Sequence, residues 1–158
     1  VEEHVSTDEA LDSLSDEVRR ITDGTGDRDE KLRAVCQLLS DSVAHYDWVG
    51  FYIADFDDRV LNLGPFVGEP TEHVRIPFGR GICGQVADKE EGLIVQDVSE
   101  ETNYLSCNSE VKSEIVVPVI KSERAVAQID IDSHTRAAFS RRDWDFLADV
   151  CSTVSRLF

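Results

Sequence analysis

The chain has 158 residues, the size of one ordinary domain, and a formal charge of −16 from 32 acidic and 16 basic residues. Such a surface repels phosphate backbones and anionic lipid, which excludes nucleic-acid and membrane-surface binding as working functions. No stretch approaches the roughly 18 consecutive apolar residues that cross a bilayer, and the opening VEEHVSTDEA is acidic, so the expected location is cytoplasmic.

Acid is spread along the whole chain and lysine occurs only four times against twelve arginines, a balance that fits adaptation to high salt. The four cysteines, Cys36, Cys83, Cys107 and Cys151, form no C-x-x-C pair, and their intervals match no zinc pattern, so no metal is expected.

The first 45 residues read as helical. Leu11, Leu14, Val18 and Ile21 recur at three- and four-residue steps, and TDGTGD then breaks the helix. A second helix starts near Asp27 and places Leu32, Val35, Cys36, Leu39 and Val43 on one face, which makes Cys36 a core residue.

From Trp48 the period changes to that of strands. WVGFYIAD and RVLNLGPF, separated by FDD, read as a hairpin; HVRIPF follows as a strand whose Pro77 marks an edge or an end. GRGICGQVADKEE is a glycine-rich turn running into a short helix, GLIVQDV a further strand, and EIVVPVI and AVAQIDIDS two more joined by KSER. At Ser140 the run Ser-Arg-Arg-Asp resembles a capping box, and Trp144, Leu147, Ala148, Cys151, Val154 and Phe158 line one face of a closing helix.

The expected fold is α+β: one domain over 1–158, with a helical region 7–45, a sheet and pocket over 48–133, and a C-terminal helix over 140–158. About six mostly antiparallel strands carry the terminal helices on one face. Those helical regions also offer surfaces for a homodimer.

Reactive residues gather in the second half. Cys83 stands at the entry to a helix beside Arg80, where helix dipole and guanidinium favour a thiolate; packing is the alternative. Cys107 sits in the polar loop NYLSCNSEVKSE, long enough to wall a pocket, or is an incidental exposed thiol. Glu114 opens an apolar strand. Asp130 and Asp132 alternate with isoleucine and so share a sheet face, which is either solvated or the floor of a pocket of convergent carboxylates.

Together YDWVGFYI, LNLGPFVGEP, VRIPFGRGICG, SEIVVPV and IDIDS, in this order, resemble the free methionine-(R)-sulfoxide reductases, which are single GAF domains. The resemblance runs from about His45 to Ser133. It implies reduction of free methionine-R-sulfoxide by a cysteine thiolate through a sulfenic acid, with thioredoxin or a small thiol as external reductant and no cofactor.

By position, Cys107 corresponds to the attacking cysteine, Glu114 to the pocket carboxylate, Asp130 and Asp132 to the acidic pair, and Trp48 and Tyr52 to the aromatic wall. Cys83 corresponds to the cysteine of the family's GRGVCG. Two departures stand out. His73 occupies the place of the usual resolving cysteine, which leaves resolution to Cys83 or an external thiol, and Asn-Tyr-Leu-Ser replaces Gly-His-Ile-Ala before Cys107. The alternative reading is a GAF ligand-binding or signalling module that kept the pocket without turnover.

Overall fold

The computed structural model describes residues 7–105 and 109–158. Helices α1 (Thr7–Asp23) and α2 (Arg28–Ser42) precede strands β1 (Trp48–Asp55), β2 (Val60–Val67) and β3 (Arg75–Pro77). Helix α3 (Gly81–Lys89), strands β4 (Leu93–Val95), β5 (Ser113–Lys121) and β6 (Arg124–Ser133), and helix α4 (Arg141–Val154) follow. The strands form one sheet in the order β3-β2-β1-β6-β5-β4, and its pairings are antiparallel. The expected α+β class holds, and β3 is both an edge strand and one that ends on Pro77.

Capping fixes where the terminal helices begin. Asp27 accepts from the Glu30 N–H at 2.9 Å while the Glu30 carboxylate accepts from the Asp27 N–H at 3.3 Å, closing a capping box ahead of α2. Ser140 and Asp143 do the same for α4. Asp143 also accepts from the Tyr46 hydroxyl at 2.7 Å and lies 3.1 Å from His45 Nε2, which ties the approach to β1 onto α4. Burial pushes the Asp143 carboxyl up, but the hydrogen bonds from His45, Ser140 and Tyr46 outweigh it and bring the pKa to about 2.

Alternation along the strands divides the interior into two clusters. On one face Val49, Phe51, Ile115, Val117, Ile129 and Ile131 meet Val18 of α1, Leu32 and Leu39 of α2, and Leu147 and Val150 of α4. Cys36 and Cys151 are buried in this layer, their thiols directed to the carbonyls of Pro65 and Val117. The stripe predicts Val43 on α2, but the helix stops at Ser42; Val43 is extended, its N–H still closing on the Leu39 carbonyl. On the other face α3 lays Ile82, Val86 and Ala87 against Tyr52, Leu61, Ile76 and Val116. Terminal helices therefore cover one face, as expected, and the short internal helix covers part of the second.

Candidate active site

The register of the three central strands decides which side chains meet beneath α3. Trp48 pairs with Asp132, Gly50 with Asp130 and Tyr52 with Gln128 across β1 and β6, while Glu114 of β5 pairs with Asp132. Period two then sends Trp48, Tyr52, Glu114, Asp130 and Asp132 to the same side. That side is not solvated: Glu114 is 5% exposed and Asp130 and Asp132 are each 2% exposed. Of the two accounts of the Ile-Asp-Ile-Asp alternation, the structure supports the buried cluster of carboxylates.

Aromatic side chains form one wall. The Trp48 ring stacks on Phe66 with centroids 5.5 Å apart and faces Tyr52 at 6.5 Å, and its indole N–H donates to the Glu69 carbonyl. Space for that indole comes from Gly50, where an added Cβ would stand 2.4 Å from Trp48 Cη2. Gly50→Ala is expected to displace Trp48 and cost about 1–3 kcal/mol, read as a lower melting temperature with altered indole fluorescence. An unchanged spectrum and stability would contradict this packing. The Tyr52 hydroxyl donates to the His73 carbonyl at 2.8 Å, anchoring the segment ahead of β3 to the pocket.

The glycine-rich turn brings up Cys83. Gly81 has φ +68°, and an added Cβ would lie 2.9 Å from Leu105 Cγ, so a side chain there meets both backbone strain and a clash. Asn103 fixes the following segment against this turn, accepting from the Gly81 N–H at 2.8 Å and donating to the Gly79 carbonyl at 2.9 Å. Cys83 is thereby set in the first turn of α3 with its thiol 3.9 Å from Glu114 Oε2. Single donor atoms of Cys83, Glu114 and Asp130 all lie within 4.8 Å of one another.

Electrostatics in this cluster differ from the local expectation. A helix N-terminus alone favours a thiolate, yet burial drives the Cys83 pKa well above its usual value, and Asp130, Glu114 and Asp132 push it the same way. Cys83 is therefore a protonated thiol at neutral pH, correcting the thiolate reading.

Burial also raises the pKa of Asp130, against hydrogen bonds to Glu114 and Cys83. It raises Asp132 well above the usual carboxylate range, helped by the charge of Asp130 and opposed by a hydrogen bond to Glu114. A hydrogen bond between two carboxyl groups needs a proton on one of them, so the three acids hold a proton among them. Among the described residues Asp130 Oδ1 is buried with no hydrogen-bond partner.

The pocket that opens onto these groups is lined by Tyr52, His73, Ile76, Arg80, Gly81, Ile82, Cys83, Leu105, Glu114 and Asp130. Its cavity of about 10 Å³ has room on the order of one water molecule. Wider grooves lie elsewhere. One of about 690 Å³ between α1 and α4 has its arginines paired with neighbouring acids, Arg19 with Asp16 and Asp149 and Arg142 with Asp8. Another of about 480 Å³ lies beside Trp144. The narrow pocket is the one where buried titratable groups converge, and that makes it the candidate site.

Of the residues singled out from sequence, Tyr52, Cys83, Glu114 and Asp130 line this pocket, with Trp48 facing Tyr52 and Asp132 paired across the sheet with Glu114. Cys107 lies outside the described residues; Leu105, two positions earlier, lines the pocket. Three contributors were not singled out: Gly50, Asn103, and Arg80 as a pocket residue. For Gly50 the signal was present, since Trp-x-Gly-x-Tyr puts a glycine between two aromatics on one strand face. Asn103 gave none, because its partners are backbone atoms more than twenty positions away.

The sequence model of the GAF domain matches residues 27–157. Protein YtsP of Bacillus subtilis is 32% identical over 143 residues, covering 90% of this chain and 87% of that protein. The free methionine-R-sulfoxide reductase of Escherichia coli is 31% identical over 120 residues, 76% of this chain and 71% of that protein. A crystal structure of the reductase from Neisseria meningitidis in complex with its substrate superposes with a TM-score of 0.90 at 30% identity, covering 98% of this chain and 92% of that one. The chain is a GAF domain of the free methionine-R-sulfoxide reductase family. Membership accounts for the sheet order and for the helix laid across its second face, and it directs attention to the pocket under α3.

Proposed function

We propose that this protein reduces free methionine-R-sulfoxide to methionine. The observation that carries the reading is the buried acid cluster beside an aromatic wall, with Asp130 Oδ1 lacking a partner. A small amino acid matches it group for group. Its ammonium offers donors to the carboxylates, its methyl and methylene groups suit the rings of Trp48 and Tyr52, and its sulfoxide oxygen accepts the proton that the acids hold.

In the proposed reaction the Cys107 thiolate attacks the sulfoxide sulfur while that proton passes to the sulfoxide oxygen. The hydroxyl then passes to the Cys107 sulfur as the sulfur–oxygen bond and the newly formed sulfur–sulfur bond both break, so methionine leaves with the electron pair and Cys107 is left as a sulfenic acid. One thiol converts this to a disulfide with loss of water, and a second regenerates the Cys107 thiol, so two thiols supply the two electrons. Thioredoxin or a small cytoplasmic thiol would serve as that reductant.

The test is methionine release from free methionine-R-sulfoxide with dithiothreitol or a thioredoxin system at high KCl, with Cys107→Ser alongside. Wild type is expected to turn over and the variant to lose at least about a hundredfold. Activity that survives the substitution would remove Cys107 from the mechanism. A wild type that binds methionine without turning over the sulfoxide would identify a ligand-binding module instead.

A further inference from the structure

We infer that Arg80 recognises the substrate's α-carboxylate and so restricts the pocket to free amino acids; the inference deepens the proposed reductase reading and rests on it. Arg80 lines the same pocket as Glu114 and Asp130, but its backbone stands outside the acid cluster, as the N-cap of α3, and its side chain is exposed. Among the described residues ten of the twelve arginines form ion pairs: 19, 20, 28, 59, 75, 124, 136, 141, 142 and 156. Of the described residues Arg33 and Arg80 form none, and Arg80 lines the candidate pocket.

In a chain with twice as many acids as bases, an arginine without an acidic partner at the rim of an acidic pocket calls for an anion from elsewhere. Thiolate activation does not account for it, since burial and three carboxylates hold the Cys83 proton in place. Nor is its side chain used to cap α3, since it makes no cap hydrogen bond.

A zwitterion supplies the missing partner. With its ammonium on the buried acids, an amino acid carries its carboxylate on the same α-carbon, one short step toward the rim where Arg80 stands. A methionine sulfoxide residue inside a peptide has neither free group and would leave buried carboxylates and the guanidinium unmatched, which is how a polar site rejects a near relative. His73, the other nitrogen-bearing side chain lining the pocket, is the competing choice and is tested beside it.

Four proteins, wild type, Arg80→Gln, Arg80→Lys and His73→Asn, are assayed with free methionine-R-sulfoxide and with its α-amide, which keeps the ammonium and lacks the carboxylate. Wild type is expected to prefer the free acid by roughly ten- to a hundredfold in kcat/KM, as for a charge-assisted hydrogen bond. Arg80→Gln loses that preference, KM rising far more for the free acid than for the amide, and Arg80→Lys restores part of it. Equal losses on both substrates, no loss on either, or a preference abolished by His73→Asn in place of Arg80→Gln would each overturn the assignment. Calorimetry with methionine and methioninamide separates the two readings. If wild type fails to reduce the sulfoxide yet binds methionine over the amide in an Arg80-dependent way, the carboxylate assignment stands and the reductase reading falls.

Discussion

Asp132→Asn is expected to stabilise the fold at neutral pH while lowering turnover at least about tenfold. In the wild type, burial and the charge of Asp130 raise the Asp132 pKa well above the ordinary carboxyl value of 3.8. A carboxyl whose folded pKa lies above its unfolded one contributes fully below pH 3.8, and that stability is lost as pH rises toward the folded value. Asparagine keeps the shape and cannot ionise, and its amide donates to Glu114, so the variant escapes the loss. Replacing a buried, strained ionisable group in this way gains roughly 1–3 kcal/mol, about 2–10 °C in melting temperature for a domain of this size.

The effect must be read as the difference between variant and wild type across pH, because Asp143 slopes the other way. Its folded pKa of about 2 contributes stability above pH 3.8 that is lost as pH falls toward 2. The two contributions therefore occupy opposite sides of the unfolded value, and only the one on the alkaline side should vanish in Asp132→Asn. Chemical denaturation at fixed KCl from about pH 4 to about pH 8 measures it. A variant less stable than wild type at neutral pH, or a difference that does not grow with pH, would show that the cluster is not under charge strain. The accompanying fall in kcat follows from removing an acid that shares the cluster's proton, and it is the trade between stability and activity that a working polar site implies.

The elements of the fold were legible because their signals are local. Three- and four-residue steps in 8–21, the apolar run in 48–55, the alternation in 128–132 and the Ser140–Asp143 cap each require a window of no more than about fifteen residues. The site was legible only by halves. Alternation put Asp130 and Asp132 on one face, yet whether that face is wet depends on α3, encoded more than forty positions earlier and laid over it by the tertiary fold. The same distance defeated the reading of Cys83. Its local setting, a helix entry beside an arginine, favours a thiolate; Glu114, Asp130 and Asp132 arrive from β5 and β6 and reverse the sign. Trp48 shows the third kind of loss, since its placement depends on atoms that Gly50 does not have.

The protonated state of Cys83 leads to the second large prediction, that Cys107 is resolved by an external thiol and not by Cys83. A resolving cysteine attacks a sulfenic acid as its thiolate, and the rate scales with the fraction ionised. Burial first, then the three nearby carboxylates, hold the Cys83 proton in place. The acid cluster already holds a proton, and a thiolate formed beside it would face the remaining carboxylate charge. Histidine at position 73 offers no sulfur in its stead. Cys83→Ser is accordingly expected to retain turnover within about threefold of wild type in dithiothreitol, whereas Cys107→Ser loses it. Mass mapping after one turnover with a single equivalent of substrate and no reductant should find Cys107 oxidised alone, as a sulfenic acid trapped by dimedone, with Cys83 still reduced. Recovery of a Cys83–Cys107 disulfide in most molecules would refute external resolution, and it would require the acid cluster to release Cys83 once substrate oxygen has moved to Cys107.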